Sequence, residues 1–166
     1  MKMGTVEDFG NFINAVIDEK AFDSISGYIA KAKEDGQEIV AGGNFDKSKG
    51  YFIEPTVIVA KDAKYRTMCE EIFGPVLVII PYADVDDAVA IANDSVFGLG
   101  GYVSGQDRDL AVSLARRMRT GAIWINGGFD FHAPFGGYKR SGNGREWGDY
   151  GFHEYLEIKT ILNYAP

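Results

Sequence analysis

Two segments of this sequence carry side chains whose types and spacing could do chemistry. The first is Glu70-Glu71-Ile72-Phe73-Gly74-Pro75-Val76. It places a carboxylate two residues before an aromatic ring, at a tight turn that leads into an apolar run. A carboxylate can accept hydrogen bonds from both hydroxyls of a ribose, and an aromatic ring can pack against a flat heterocycle. Short motifs are weak evidence by themselves, and the same residues also fit a surface glutamate pair ahead of a core phenylalanine. The second segment is Ala133-Pro134-Phe135-Gly136-Gly137-Tyr138-Lys139-Arg140-Ser141-Gly142-Asn143-Gly144-Arg145-Glu146-Trp147-Gly148. Its glycines let the backbone turn tightly and approach other groups. The spacing Gly142-x-Gly144-x-x-x-Gly148 is one residue too long for a dinucleotide fingerprint, and no clear strand precedes it. A phosphate cradle and a structural loop both stay open, and the spacing favours the loop.

The remaining reactive side chains are few. Cys69 is the single cysteine, so no internal disulfide is possible and a reducing cytoplasm suits the chain. Glu70 and Glu71 follow it directly, and their charge opposes the thiolate that a nucleophile needs. A small, semi-buried apolar residue is the plainer expectation for Cys69, against a thiol-redox role. His132 and His153 have no partners at ligand spacing, so no zinc site is expected. His132 falls in a loop rich in glycine and aromatic residues, where a solvated histidine is the plainer reading, and His153 reads as structural.

Elements must position these groups. A chain of 166 residues can form one domain with its own core. A 46% hydrophobic and 25% charged composition suits a soluble globular domain. The net charge of -7 argues against nucleic acid and anionic membranes as partners. No run is long and apolar enough to span a bilayer. Acidic residues follow Met1-Lys2-Met3-Gly4, which does not read as a secretory leader. Phe22, Ile25, Ile29 and Ala32 mark a helix over 19–35, ended by Gly36. Strands are expected over 38–41 and 51–60, the latter bent at Pro55, with a polar turn over 44–50. The β-branched run 76–80 reads as a strand buried on both faces. A helix capped by Asp84, a Gly-rich strand 98–104, a helix through Leu110, Ala111, Leu114, Ala115 and Met118, and a strand 122–126 follow. That order predicts parallel β-α-β units with right-handed crossovers. A long loop over 127–151, functional or mobile at that length, and a terminal strand over 155–164 complete the chain.

At the two motifs the sequence resembles the aldehyde dehydrogenase superfamily. Tyr51-Phe52-x-Glu54-Pro55-Thr56-Val57 and Ala122-Ile123-Trp124-Ile125-Asn126 add to the likeness, which covers nearly the whole chain. The resemblance implies an α/β fold, a parallel-rich sheet flanked by helices. Residues 1–153 would form the C-terminal part of the catalytic (thiol) domain, and 154–166 an oligomerisation strand and tail. It implies that Glu71 binds the nicotinamide ribose of NAD or NADP and that Phe73 packs near the nicotinamide. Phe129, Phe131 and Phe135 would lie at or near the aldehyde tunnel, and 155–164 would join copies into a homo-oligomer. The family's cysteine nucleophile, in a Gly-Gln-x-Cys type segment, and its general-base glutamate have no counterpart among these residues. No catalytic residue is therefore assigned, and the chain alone is expected to be inactive. The alternative is a non-catalytic, self-associating module with the same fold. Either way, an uncovered strand edge and exposed apolar surface are expected. Residues 8–20 and 42–52 are similar to delta-1-pyrroline-5-carboxylate dehydrogenases, which implies glutamate semialdehyde as substrate. The short aromatic loop 127–133 and Gly144-Arg145-Glu146-Trp147-Gly148 match broad-substrate relatives better.

Overall fold

A computed structural model describes residues 1–163. Two compact units divide the chain, Met1–Pro81 and Tyr82–Pro166, and each is built from its own elements.

In the first unit, Asp18 holds extended geometry and its carboxylate accepts from the Ala21 amide at 2.7 Å. That bond satisfies one of the free donors at the start of helix α1, Glu19–Glu34. Phe22, Ile25, Ile29 and Ala32 lie along one side and are buried, the stripe that the spacing predicts. Asp35 caps the end, and Gly36 turns the chain away at φ 69°. Strand β1, Glu38–Ala41, begins where expected. The segment 44–50, read as a polar turn, instead contains strand β2 (Phe45–Asp46), which pairs antiparallel with β3 (Phe52–Ile53). Phe45 packs edge-on against Phe22 at 5.9 Å, which gives this polar segment an apolar anchor. The single strand expected over 51–60 is broken at Pro55 into β3 and β4 (Thr56–Val59), because proline has no N–H for a ladder.

After β4 comes one helical turn, α2 (Arg66–Cys69), and then β5 (Val76–Ile79). Strand β4 is central, antiparallel to β1 and parallel to β5, with Thr56 opposite Val76 and Val59 opposite Ile79. Burial of β5 on both faces does not hold. Leu77 is 59% exposed and Ile79 44%. The cause is one-sided cover: Val76 packs against the cluster of Phe22, Ile25, Ile29 and Ile53, while Leu77 and Ile79 alternate to the other face.

In the second unit, the Asp84 carboxylate accepts from the amides of Asp86 and Asp87, both at 2.9 Å, and starts α3 (Val85–Asn93) as the sequence predicts. Strand β6 (Gly100–Val103), helix α4 (Arg108–Arg117) and strand β7 (Ala122–Ile125) form one of the expected β-α-β units; the other, through α3, does not form among the described residues, because β5 pairs with β4 and β6 with β7 in separate sheets. β6 and β7 run parallel, Gly100 opposite Ala122 and Val103 opposite Ile125. Asn93 braces the unit: its side chain donates to the Arg117 carbonyl at 2.9 Å and accepts from the Arg119 amide at 2.7 Å. The buried apolar side chains here are small, Ala111 and Ala115, while Leu110 and Tyr102 are exposed. The loop 127–151 is not structureless. It holds a 3₁₀ turn, Lys139–Ser141, and helix α5, Gly148–His153.

The fold is α/β, with parallel pairs β4–β5 and β6–β7, antiparallel pairs beside them, and flanking helices. Of the strand expected over 155–164, Tyr164 lies outside the described residues, and 155–163 form no strand within the chain. The apolar side chains among these residues are uncovered; Ile158 is 91% exposed and Leu162 83%.

Candidate functional site

Between α2 and β5 the side chains alternate inward and outward. Ile72 packs against the core cluster. Gly74 lies on Ile25, whose Cδ1 would be 2.6 Å from a Cβ added there. Glu71 and Phe73 are turned outward, and Phe73 is 87% exposed. Phe73 also holds φ at 58°, a left-handed backbone that bulky side chains rarely adopt and that costs about 1–3 kcal/mol. The Pro75 carbonyl accepts from the Thr56 amide at 2.9 Å, which ties the turn to β4.

The two glutamates play different parts. Glu70 accepts from the Tyr28 hydroxyl at 2.5 Å and from Arg66 Nε at 3.1 and 3.0 Å. The Tyr28 hydrogen bond first, and the Arg66 pairing second, hold the Glu70 carboxyl below its ordinary range. The same bond pushes the Tyr28 phenol up. Glu71 makes no hydrogen bond or ion pair with another described residue. Thr67, Glu71 and Phe73 line an open depression of about 380 Å³, and the Thr67 hydroxyl is buried without a partner among the described residues. The depression therefore presents a free carboxylate with room for two donors and an unpacked ring face.

Phe129, Phe131 and Phe135 come together in the second unit, and Trp147 joins them. The rings of Phe129 and Phe131 meet edge-on at 4.5 Å and lie 5.4 and 5.6 Å from Trp147, which stacks on Phe135 at 4.9 Å. Trp124 stands 6.5 Å from Phe135. Phe129, Phe135, both tryptophans and Asp130 line a cavity of about 400 Å³. Sequence reasoning selects neither tryptophan nor Asp130. Trp147 reaches the group because Phe135 and Glu146 exchange two backbone hydrogen bonds, at 2.7 and 2.6 Å, and so fold the Gly-rich segment back on itself. The available signal was aromatic residues flanking a glycine-rich run.

Inside that fold, Arg145 Nη1 donates to the carbonyls of Gly137, Asn143 and Gly144 at 3.0, 2.9 and 2.8 Å. A Cβ at Gly121 would overlap the Gly136 carbonyl oxygen. The glycines thus serve backbone-on-backbone packing, and the geometry suits the structural reading of the loop over a phosphate cradle.

The aldehyde dehydrogenase family model matches residues 1–161. The chain belongs to this family. A Mycobacterium tuberculosis aldehyde dehydrogenase complexed with NAD+ superposes with a TM-score of 0.90 at 41% identity, over 100% of this chain and 36% of that one. A mutant of aldehyde dehydrogenase C from Pseudomonas syringae, complexed with NAD+ and octanal, gives 0.93 at 43% identity, over 99% of this chain and 35% of that one. A relative in Staphylococcus saprophyticus, whose name places it among the aldehyde dehydrogenases, is 44% identical over 99% of this chain. The chain spans 35% of that relative's length. The family comprises NAD(P)-dependent oxidoreductases that act on aldehydes.

Cys69 of this family member is exposed, not semi-buried as expected. α2 is a single turn in which Thr67 takes the inward position, and two residues further along a helix the side chain faces away. The Cys69 thiol lies 3.6 Å from the Ala63 carbonyl oxygen. It should therefore react fully with a thiol reagent in the native protein, and Cys69→Ser should leave the melting temperature unchanged. Reaction only after denaturation would contradict this placement. His132 and His153 are both exposed. Among the described residues no group of His, Cys, Asp and Glu could hold a metal ion, and no helix is long and apolar enough to cross a membrane.

Proposed function

We propose that this chain is the C-terminal part of the catalytic domain of an aldehyde dehydrogenase, and that its first unit receives the nicotinamide half of NAD+ or NADP+. The observation that carries this is the turn at 71–73, where an unpaired carboxylate and a displayed ring stand side by side at the cost of a strained backbone. Glu71 accepts from the ribose hydroxyls, and Phe73 packs near the nicotinamide ring. The bound coenzyme supplies a hydride acceptor. The orphan Thr67 hydroxyl below the same depression fits a surface completed by a ligand or its waters.

In the second unit, Phe129, Phe135 and Trp147 line the aldehyde tunnel, and Phe131 lies near it, packed on Phe129 and Trp147. Rings and backbone make a wall that is apolar by a small margin, and Asp130 adds one negative charge. That combination suits an uncharged aldehyde. The second reading is glutamate semialdehyde, which rests on the likeness of 8–20 and 42–52 to delta-1-pyrroline-5-carboxylate dehydrogenases. Its carboxylate would meet Asp130 without a compensating cation on the cavity wall, so the uncharged substrate is preferred. Cys69 sits beside Glu70 and Glu71 and belongs to no acid–base pair. The thiol nucleophile and base must then come from another segment, and the chain alone oxidises nothing. Residues 155–164 join copies into a homo-oligomer, a reading that the uncovered apolar side chains there support. A free, exposed thiol suits the cytoplasm.

Saturation-transfer NMR with NAD+ at millimolar concentration tests the coenzyme reading. Transfer should be strongest to the nicotinamide and its ribose. Glu71→Gln should weaken binding by about 10-fold or more, since hydrogen bonds to a charged group contribute about 1.5–3 kcal/mol. Transfer confined to the adenine, or equal affinity in Glu71→Gln, would sink the assignment.

A further inference from the structure

We infer that Tyr28, Arg66 and Glu70 form a clamp whose role is to fix the turn that presents Glu71 and Phe73, so that all three are positioning residues for the coenzyme. The proposal rests on the reading of Glu71 and Phe73 given above.

The three side chains close a ring. The Tyr28 hydroxyl donates to Glu70 Oε2 across 42 residues of sequence, at 2.5 Å. Arg66 Nε donates to both carboxylate oxygens of Glu70, and the Arg66 guanidinium lies 4.3 Å from the centre of the Tyr28 ring. Each member therefore touches the other two. Two of them, Arg66 and Glu70, bracket α2, and the third stands on α1. Glu70 is the residue at which the chain leaves helical geometry, with ψ 146°, and its amide still donates to the Arg66 carbonyl at 2.9 Å. The start of the turn is thus pinned by both backbone and side chain to α1. Its far end is pinned by Gly74 on Ile25 and by the Thr56–Pro75 hydrogen bond.

Between these anchors lie Glu71, Ile72 and Phe73, and Phe73 must be held at positive φ against its own preference. A strained residue persists only where its surroundings over-determine it. The clamp supplies that constraint on the N-terminal side. Arg66 and Glu70 are exposed and Tyr28 is half-buried, and exposed ion pairs contribute little to global stability, so holding the turn is the function left for the Arg66–Glu70 pair. The clamp also neutralises the carboxylate next to Glu71, which leaves Glu71 as the free acceptor of the pair.

The clamp has a pH window. The Glu70 carboxyl is depressed, so its contribution is present above the ordinary glutamate range and is lost as pH falls through the depressed value. The Tyr28 phenol is raised, so its contribution is present below the ordinary tyrosine range and is lost as pH rises through the raised value.

The test compares wild type with Tyr28→Phe, Arg66→Gln and Glu71→Gln by ¹⁵N relaxation, thermal melting and NAD+ saturation-transfer NMR. In Tyr28→Phe and Arg66→Gln, backbone order parameters at 71–73 should fall from about 0.85 to below about 0.6. The melting temperature should stay within a few degrees and NAD+ affinity should drop about 5-fold. Glu71→Gln should lose affinity with order at 71–73 unchanged, which separates contact from positioning. Unchanged order at 71–73 in both clamp variants overturns the proposal. If wild type takes up no NAD+, the coenzyme reading fails, and the order parameters still decide whether the clamp holds the turn.

Discussion

Ile25→Ala should destabilise the first unit by about 2–5 kcal/mol, the usual cost of an emptied core position. Ile25 is 1% exposed and belongs to the cluster with Phe22, Ile29 and Ile53. Its side chain is also the surface on which Gly74 rests. The substitution thus removes the floor of the turn at 71–73 along with part of the core. Both tryptophans, Trp124 and Trp147, lie in the second unit, so tryptophan fluorescence is the wrong reporter. Far-UV circular dichroism and the Ile72 methyl resonances should register the loss. Melting within a degree of wild type would mean that this cluster does not hold the unit together. Phe22→Leu, which keeps an apolar group in place, should cost less than Ile25→Ala.

Gly121→Ala should be the most damaging single methyl group in the second unit. A Cβ at that position coincides with the Gly136 carbonyl oxygen and lies 2.6 Å from the Gly136 carbonyl carbon. These are backbone atoms that cannot rotate aside, so β7 and the Gly-rich loop must separate. The expected cost is about 3 kcal/mol or more, at the upper end for overpacking. Phe135 directly precedes Gly136 and stacks on Trp147, so the aromatic group should come apart with the loop. Near-UV circular dichroism of the two tryptophans should lose amplitude. A control at Gly128, where an added Cβ meets nothing within 4 Å although φ is 105°, should leave the loop docked. A wild-type near-UV spectrum for Gly121→Ala would show that this contact does not organise the aromatic group.

What could be read from the sequence follows a physical division. Helix α1 was legible because four apolar residues at helical spacing and a stop glycine all act locally. The start of α3 follows the same logic, since the carboxylate of Asp84 bonds amides within three residues of itself. The β6-α4-β7 unit was legible because its order limits its topology. Strand β2 was not, because its pairing depends on Phe45 reaching Phe22, a contact that polar neighbours conceal. The exposure of Leu77 and Ile79 was hidden for a different reason: composition says what can be buried, and coverage decides what is. At the site, Glu70-Glu71 reads as a symmetric pair. Tyr28, far away in sequence, and Arg66, four residues before Glu70, distinguish them by bonding Glu70 alone. Trp147 was missed because its partners depend on two backbone hydrogen bonds between Phe135 and Glu146, which leave no trace in residue spacing.

The uncovered apolar side chains of 155–163 also bear on the life of the chain in a cell. Tyr155, Ile158 and Leu162 are each more than four-fifths exposed, on a backbone without a strand partner in the chain. Chaperones and proteases grip unpaired, apolar backbone of this kind. The steady-state amount of a marginal protein reflects how often such segments are open to capture. Abundance should therefore follow occupancy of this segment by whatever covers it, and charged substitutions at Ile158 and Leu162 would lengthen the half-life of copies that stay alone while removing their ability to be covered.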